Sequence, residues 1–366
     1  MRVGVLGGGQ LARMMALAGH PLGLEFVFLD PAPDACAFPL GRALHGAYDD
    51  SARLDELADF ADVVTFEFEN VPAAVTERLG ARVPVYPPAG ALAVAQDRLA
   101  EKALFRELGI GTPDFCAVGS EAELAAAAEQ LGYPFVLKTR SEGYDGKGQQ
   151  VVRAADQLAA AWQELGGQPL IAEAFVSFTR EVSVVAVRSR DGEVHCYPLA
   201  ENRHEEGILA ISHSRPTDPI AGAAQNAAQK LLARLEYVGV LALELFDCDG
   251  ELLANEFAPR VHNSGHWTIE GATVSQFENH LRAVCGMPLG ATDARGHVAM
   301  LNLIGELPPI APLLALPDVH VHIYGKEARP GRKIGHLTVC AENESALTAR
   351  FAEVCTHAGR SPASVG

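Results

Sequence analysis

An acidic residue stands inside each of two apolar runs that flank Asp249-Gly250. Glu244 interrupts Val240-Leu241-Ala242-Leu243-Glu244-Leu245-Phe246, and Glu256 lies in Asn255-Glu256-Phe257-Ala258-Pro259-Arg260. Asp-Gly between apolar runs is a hairpin signal, so the pattern predicts antiparallel strands over 238–247 and 251–257. A carboxylate buried in such a strand is costly unless a cation meets it. Two that face each other across a hairpin repel unless a divalent ion lies between them. The pair therefore points to a nucleotide handled through magnesium. Register adds a constraint. A two-residue turn at Asp249-Gly250 sets Glu244 opposite Asn255 and sends Glu256 to the other face. Bringing both acids to one face needs a longer loop or a bulge.

Composition narrows the partners. The 366 residues allow two or three domains, and 48% hydrophobic with 20% charged residues is a globular balance. A formal net charge of −17 argues against nucleic acid or an anionic membrane, so a phosphate ligand needs a local basic pocket. The seven cysteines form no CxxC pair and no His/Cys ligand spacing, which is the pattern of buried free thiols in a reducing cytosol. The N-terminus runs into a strand without a signal-peptide pattern, and no apolar run reaches membrane-spanning length. A soluble, cytoplasmic protein is expected.

The first 30 residues read strand, glycine turn, helix, strand. Gly7, Gly9 and Ala12 fit G-x-G-x-x-G/A, and Asp30 stands where a ribose-binding acid would. An NAD-binding domain and any other doubly wound domain both answer to this pattern. A further strand over 62–66 carries Glu67 and Glu69 at its C-terminal end, either as polar contacts at the ligand edge of a sheet or as a solvated strand end before Pro72. A boundary falls near Tyr86-Pro87-Pro88. Beyond it come a helix over 97–108, then strands and a helix over 135–139, 149–153, 156–164 and 170–176. A hairpin over 181–189 and 193–199 turns at Asp191-Gly192, and an alanine-rich helix spans 221–235. From about Met287 a third unit offers strands over 298–304, 319–324 and 336–339 and a helix over 345–356.

Lys138 ends an apolar strand, where a bare ammonium needs an anionic partner. Gly143, Gly146 and Gly148 follow it and let backbone N–H groups approach phosphate oxygens, although the P-loop pattern is absent. A mobile surface loop is the other reading of this segment. Glu173 ends one strand and Glu181 begins the next; the stretch 170–176 offers an apolar slot for a base, with Glu181 on ribose hydroxyls.

The order lysine, glycine loop, two glutamates and two metal-type acids resembles the ATP-grasp superfamily. Four strings resemble, within it, the 5-(carboxyamino)imidazole ribonucleotide synthase family. They are Gly7-Gly8-Gly9-Gln10-Leu11, Gly143-Tyr144-Asp145-Gly146-Lys147-Gly148-Gln149, Ala258-Pro259-Arg260-Val261-His262-Asn263-Ser264-Gly265-His266-Trp267 and Arg329-Pro330-Gly331-Arg332-Lys333-Ile334-Gly335-His336. The resemblance implies an α/β and α+β chain: a Rossmann-like domain over 1–96, an ATP-grasp domain over 97–285 with a lid at about 112–175, and a small C-terminal domain over 286–366. It implies an ATP site of Arg98, Lys138, Gly143, Tyr144, Asp145, Gly146, Lys147, Gly148, Gln149, Glu173, Ala174, Phe175, Val176, Glu181, His204, Asn255 and Glu256. Magnesium, with manganese as substitute, is expected on Glu244 and Glu256. The ribonucleotide is expected against Gln10, Leu11, Glu67, Tyr144, Asp145, Arg260, His262, Lys326, Arg332 and Lys333, with Arg260, His262, Asp145 and Lys147 serving the chemistry. Lys147 stands where some members have arginine, keeping charge but losing a planar fork. His266 and Trp267 read better as packing residues.

The implied reaction is ATP- and bicarbonate-dependent carboxylation of 5-aminoimidazole ribonucleotide through carboxyphosphate, releasing ADP and phosphate, by a homodimer. Two other readings stay open. One is an ATP-grasp ligase using formate or an amino acid on a phosphoribosyl amine; the other is an NAD-dependent oxidoreductase built on the Gly7 to Asp30 pattern.

Overall fold

The computed structural model describes residues 1–141, 143 and 148–360. Its first sheet is four-stranded and parallel, ordered Arg42–His45, Glu25–Asp30, Arg2–Leu6, Val63–Phe66. A parallel sheet buries both faces. Val3, Val5, Phe26 and Phe28 face Leu11 and Met15 of the helix Gln10–Gly19, while Val27, Leu29, Val64 and Phe66 face Leu54 and Leu57 of the helix Ser51–Phe60. The edge strand Arg42–His45 escapes the sequence pattern because only Leu44 in it is buried.

The second sheet is antiparallel, ordered Phe115–Val118, Leu170–Ala174, Phe135–Thr139, Gln149–Val152. It packs on the helices Glu121–Leu131 and Leu158–Leu165. Sequence periodicity did not resolve Phe115–Val118 or Glu121–Leu131. The strand has one buried residue and the helix is a run of alanines with little amphipathic contrast.

The third sheet has nine strands, all antiparallel. It runs Glu251–Ala258, Gly239–Cys248, Arg180–Arg188, Leu199–Glu205, Ile208–Arg215, His297–Ile304, Lys333–Ala341, Val319–Ile323, with Val194–Cys196 beside Arg180–Arg188. One expectation is corrected here. The return arm expected over 193–199 is only Val194–Cys196, after which the chain re-enters the sheet as Leu199–Glu205 and Ile208–Arg215. The strands expected of the third unit join this same sheet at its far end, through the pairing of Ser212 with Met300.

The central strands read as unbroken apolar runs because both faces are covered. Val182, Val184, Leu241, Leu243 and Leu245 pack with Leu104 and Phe105 of the helix Arg98–Glu107 and with Leu231 and Leu232 of the helix Ala221–Arg234. Val185, Val187, Val240 and Ala242 pack instead with Leu11, Met14 and Met15 of the N-terminal unit. Glu244 shares the second face, so it points into the junction between the sheet and the N-terminal unit. Among the described residues no helix is long and apolar enough to cross a membrane. All seven cysteines are free, but only Cys285 and Cys355 are buried, so the expectation of buried thiols holds for two of them.

Candidate active site

Asp249 (φ 54°) and Gly250 (φ 97°) form a two-residue turn of the kind that takes two left-handed residues. Cys248 pairs with Glu251 and Leu245 with Ala254, as that turn dictates; the register then shifts, and Glu244 pairs with Glu256. Asn255 is the extra residue. Ala254 and Phe257, three positions apart, consequently lie in the same core on the helix side, whereas an unbulged strand would send them to opposite faces. The bulge, rather than a longer loop, is what brings the acids face to face.

Each acid already has a cationic or polar partner. Glu256 Oε2 accepts from Arg98 Nη1 at 2.6 Å, and Arg98 Nη2 donates to the Gly143 carbonyl at 3.1 Å. Burial raises the Glu256 pKa, but Arg98, Lys138 and Lys102 outweigh it and hold the carboxyl at about 2. Its side chain keeps 39% exposure, so it is walled by protein yet open to a ligand. Glu244 Oε1 lies 3.1 Å from His262 Nε2.

On the side expected to take the nucleotide, Lys138 finds its anion in Glu173, Nζ to Oε2 at 3.1 Å. Lys102, 1% exposed, reaches the same oxygen at 3.2 Å. Burial raises the Glu173 pKa, and the two ammonium groups more than reverse it. Ala174 continues the strand from Glu173, and Phe175 is 41% exposed just ahead of Val176. Nearby, Phe178 stacks on Phe246 with ring centroids 4.8 Å apart. The Glu181 carboxylate meets His204 Nδ1; burial lowers the His204 pKa, but Glu181 and then Glu244 raise it further. Gly148 closes the glycine segment, its carbonyl accepting from Thr139 N–H at 2.8 Å, and Gln149 opens the next strand. Tyr144, Asp145, Gly146 and Lys147 lie outside the described residues.

On the other side, Arg260 Nε donates to Glu69 Oε2 and Nη1 to the Val261 carbonyl. Burial lowers the Arg260 pKa, while Glu69, Glu244 and Glu67 raise it and win. The Gln276 side chain, fully buried, accepts from His262 N–H at 2.9 Å and donates to the His262 carbonyl at 2.6 Å. Lys326 Nζ donates to Gln10 Oε1 at 2.7 Å, joining the first and last units. Arg332 donates to the Glu327 carbonyl, and Lys333 begins the strand Lys333–Ala341 close enough to lower the pKa of His204 and His266. His266 and Trp267 are buried core residues, as expected of packing positions, and Leu11 packs in the core as well.

The glycine turn of the N-terminal unit is already filled. Glu67 accepts from Gly9 N–H and, at 2.9 Å, from Ala12 N–H; Asp30 accepts from Gly8 N–H at 2.7 Å and from Tyr48 Oη at 3.1 Å. The helix N-terminus that a dinucleotide pyrophosphate would need therefore holds the chain's own carboxylate. Sequence reading also missed Glu101, Lys102, Ser264 and Gln276. A charge or amide wholly buried under a site has no periodic signature of its own.

The donor set suits a hard cation. Two opposed carboxylates and the Asn255 Oδ1, buried without a hydrogen-bond partner, are oxygen ligands of the type magnesium takes alongside substrate phosphates. Among the described residues no group of three or more His, Cys, Asp or Glu forms a self-sufficient metal site.

Fold and site together define an ATP-grasp ligase. Residues 1–96 match the ribonucleotide synthetase preATP-grasp domain, 103–277 the ATP-grasp domain, and 298–350 the phosphoribosylaminoimidazole carboxylase C-terminal domain. The chain is 56% identical over 354 residues to the N5-carboxyaminoimidazole ribonucleotide synthase of Pseudomonas aeruginosa, covering 97% of this chain and 98% of that protein. The solved N5-carboxyaminoimidazole ribonucleotide synthetase of Thermus thermophilus superposes with a TM-score of 0.94 at 51% identity, covering 98% of this chain and 99% of that one. The N5-carboxyaminoimidazole synthase of Aspergillus clavatus, solved with ADP and 5-aminoimidazole ribonucleotide, gives 0.90 at 33% identity and 98% coverage of each chain. This chain belongs to the N5-carboxyaminoimidazole ribonucleotide synthase family.

Proposed function

We propose that the chain carboxylates 5-aminoimidazole ribonucleotide to N5-carboxyaminoimidazole ribonucleotide in purine biosynthesis, using ATP and bicarbonate through carboxyphosphate and releasing ADP and phosphate. One observation carries the reading. Arg98, on the side proposed for the nucleotide, is bonded to Glu256, and His262, on the other side, lies 3.1 Å from Glu244, so both halves of the proposed reaction share one pair of opposed carboxylates.

Magnesium, or manganese in its place, would be held by Glu244 and Glu256 beside Asn255 and would neutralise charge on the β- and γ-phosphates. Lys138, Arg98 and the loop of Gly143, Gly146, Gly148 and Gln149 hold the phosphates. Glu173 to Val176 take the base, and Glu181 with His204 the ribose. Bicarbonate is a poor electrophile until one oxygen becomes a phosphate leaving group, and carboxyphosphate decomposes in bulk water. Closing the glycine loop over it serves to exclude solvent. Glu69 fixes the Nε edge of Arg260 and so orients the guanidinium fork for carboxyphosphate. His262 serves proton transfer. The family resemblance gives Tyr144, Asp145 and Lys147 to the substrate, with Asp145 to orient the exocyclic amine, and Gln10, Glu67, Lys326, Arg332 and Lys333 to the rest of the ribonucleotide. A cytoplasmic homodimer, the commonest symmetric assembly, completes the proposal.

The test is ADP release that depends on 5-aminoimidazole ribonucleotide, measured with and without bicarbonate. Stimulation by formate in place of bicarbonate would assign a different ligase.

A further inference from the structure

The bulge at Asn255 is held from outside the sheet. Glu251–Ala258 is an edge strand, so the backbone groups facing away from its one neighbour need partners elsewhere. The Ala254 N–H donates to the Gly111 carbonyl at 2.7 Å. The carbonyls of Ala254 and Asn255 both accept from Lys102 Nζ, at 3.1 and 2.6 Å. In a regular strand consecutive carbonyls point to opposite sides; two on one ammonium require the extra residue. One step further on, the Phe257 N–H donates to Glu101 Oε1 at 2.6 Å. Glu101 and Lys102 are 2% and 1% exposed on the helix Arg98–Glu107. The third contact of Lys102 is Glu173, at 3.2 Å, which it shares with Lys138.

We infer that Glu101 and Lys102 are positioning residues for Glu256. They fix the bulge that turns Glu256 towards Glu244, and Lys102 ties that strand to the nucleotide segment through Glu173. Without the bulge, turn parity returns Asn255 to the place opposite Glu244 and Glu256 to the helix side. The inference rests on the reading that the acid pair receives a divalent ion carried by a nucleotide.

The experiment is calorimetric binding of ADP with magnesium and with EDTA, on the wild type and on Glu101→Ala, Lys102→Met and Glu101→Gln. Amide hydrogen exchange over 254–257 is measured in parallel. Glu101→Ala and Lys102→Met should lose about tenfold of magnesium-dependent affinity, the scale of one or two lost buried hydrogen bonds. The affinity of Glu101→Ala in EDTA should stay near wild type, and its Phe257 amide should exchange faster. Glu101→Gln keeps an acceptor oxygen at the same reach and should behave as wild type. If Lys102→Met does not fold, the two Glu101 variants carry the comparison. An unchanged magnesium-dependent gain in Glu101→Ala, an equal loss in EDTA by that variant, or a Glu101→Gln as impaired as Glu101→Ala overturns the inference. A wild type that binds ADP no better with magnesium overturns the metal reading instead.

Discussion

Ser264 Oγ lies 2.9 Å from His262 Nδ1, and that contact decides which nitrogen of the ring faces Glu244. The Ser264 hydroxyl accepts from Ser183 at 2.7 Å. Ser183 accepts from Asn202 Nδ2 at 2.9 Å, and Asn202 Oδ1 accepts from Ser212 at 2.7 Å. The Ser264 backbone N–H donates to Nδ1 at 3.3 Å, and the Ser264 hydroxyl, which accepts from Ser183, keeps its own proton for the same nitrogen. Nδ1 is thus the acceptor, which leaves the ring proton on Nε2, the nitrogen 3.1 Å from Glu244 Oε1. All four polar residues of this chain are buried, so no water competes for the assignment.

Ser264→Ala removes the hydroxyl from Nδ1, leaves only the longer backbone contact, and should loosen the ring's orientation and tautomer. Turnover should fall about 10- to 100-fold, the usual effect of losing an orienting partner, while the KM for ATP stays unchanged. Imidazole 15N shifts of His262 provide the independent readout. A variant with wild-type turnover and an unaltered Nε2–H signature would contradict the relay.

Arg260 is held by Glu69 from the N-terminal unit although it follows the metal-type strand in sequence. Arg260→Ala should lower ADP release dependent on the ribonucleotide by about 100-fold or more, the scale of one lost transition-state donor. Binding of ADP with magnesium should survive. Lysine in its place should restore little, since it has no Nε edge for Glu69 and no fork for a carboxylate. Full turnover in Arg260→Ala would remove this residue from the chemistry.

Burial, and then the charge of Glu256, push Glu101 up to about 8 from an ordinary 4.5. The sign follows from linkage: a carboxyl whose folded pKa is raised contributes stability below its unfolded pKa and loses it as pH rises through the folded value. Glu101→Gln, which cannot ionise, should therefore gain on the wild type between about pH 4.5 and 8 and stay level above that. Urea midpoints of the two proteins across that range check it. A constant difference would mean that Glu101 is ionised throughout.

How much of this was legible beforehand differs by residue. Glu244 and Glu256 could be read as a pair because an acid in an apolar run stands out, and their conflict with turn parity was visible too. Its resolution was not. The bulge depends on Glu101 and Lys102, which lie about 150 positions earlier in the chain and look like any i, i+1 charged pair on a helix. Lys138 announced its need for an anion but not that Glu173 would meet it. The strands 199–205 and 208–215 were missed because polar residues, Asn202, His204, Ser212 and Ser214 among them, break their apolar alternation. The glycine turn was the most misleading feature, since its pattern specifies a close approach to an anion without saying whose anion it is.

That last point can be tested at Gly9. A Cβ there would lie 2.6 Å from Glu67 Oε1, and Gly7, at φ 107°, is closed to other residues by conformation as well as by Glu67. Gly9→Ala should push Glu67 off the N-terminus of the helix Gln10–Gly19, destabilising the protein by about 1–3 kcal/mol, the usual range for overpacking. It should also raise the KM for the ribonucleotide, because the neighbouring Gln10 would shift from Lys326. Binding of ATP with magnesium, built on the other two sheets, should be unaffected. Thermal-shift titrations of wild type and variant with ATP plus magnesium and with NAD separate the cases: stabilisation by the first alone is expected of both proteins. A shift with NAD would mean that the turn still accepts a dinucleotide and that Glu67 yields to it.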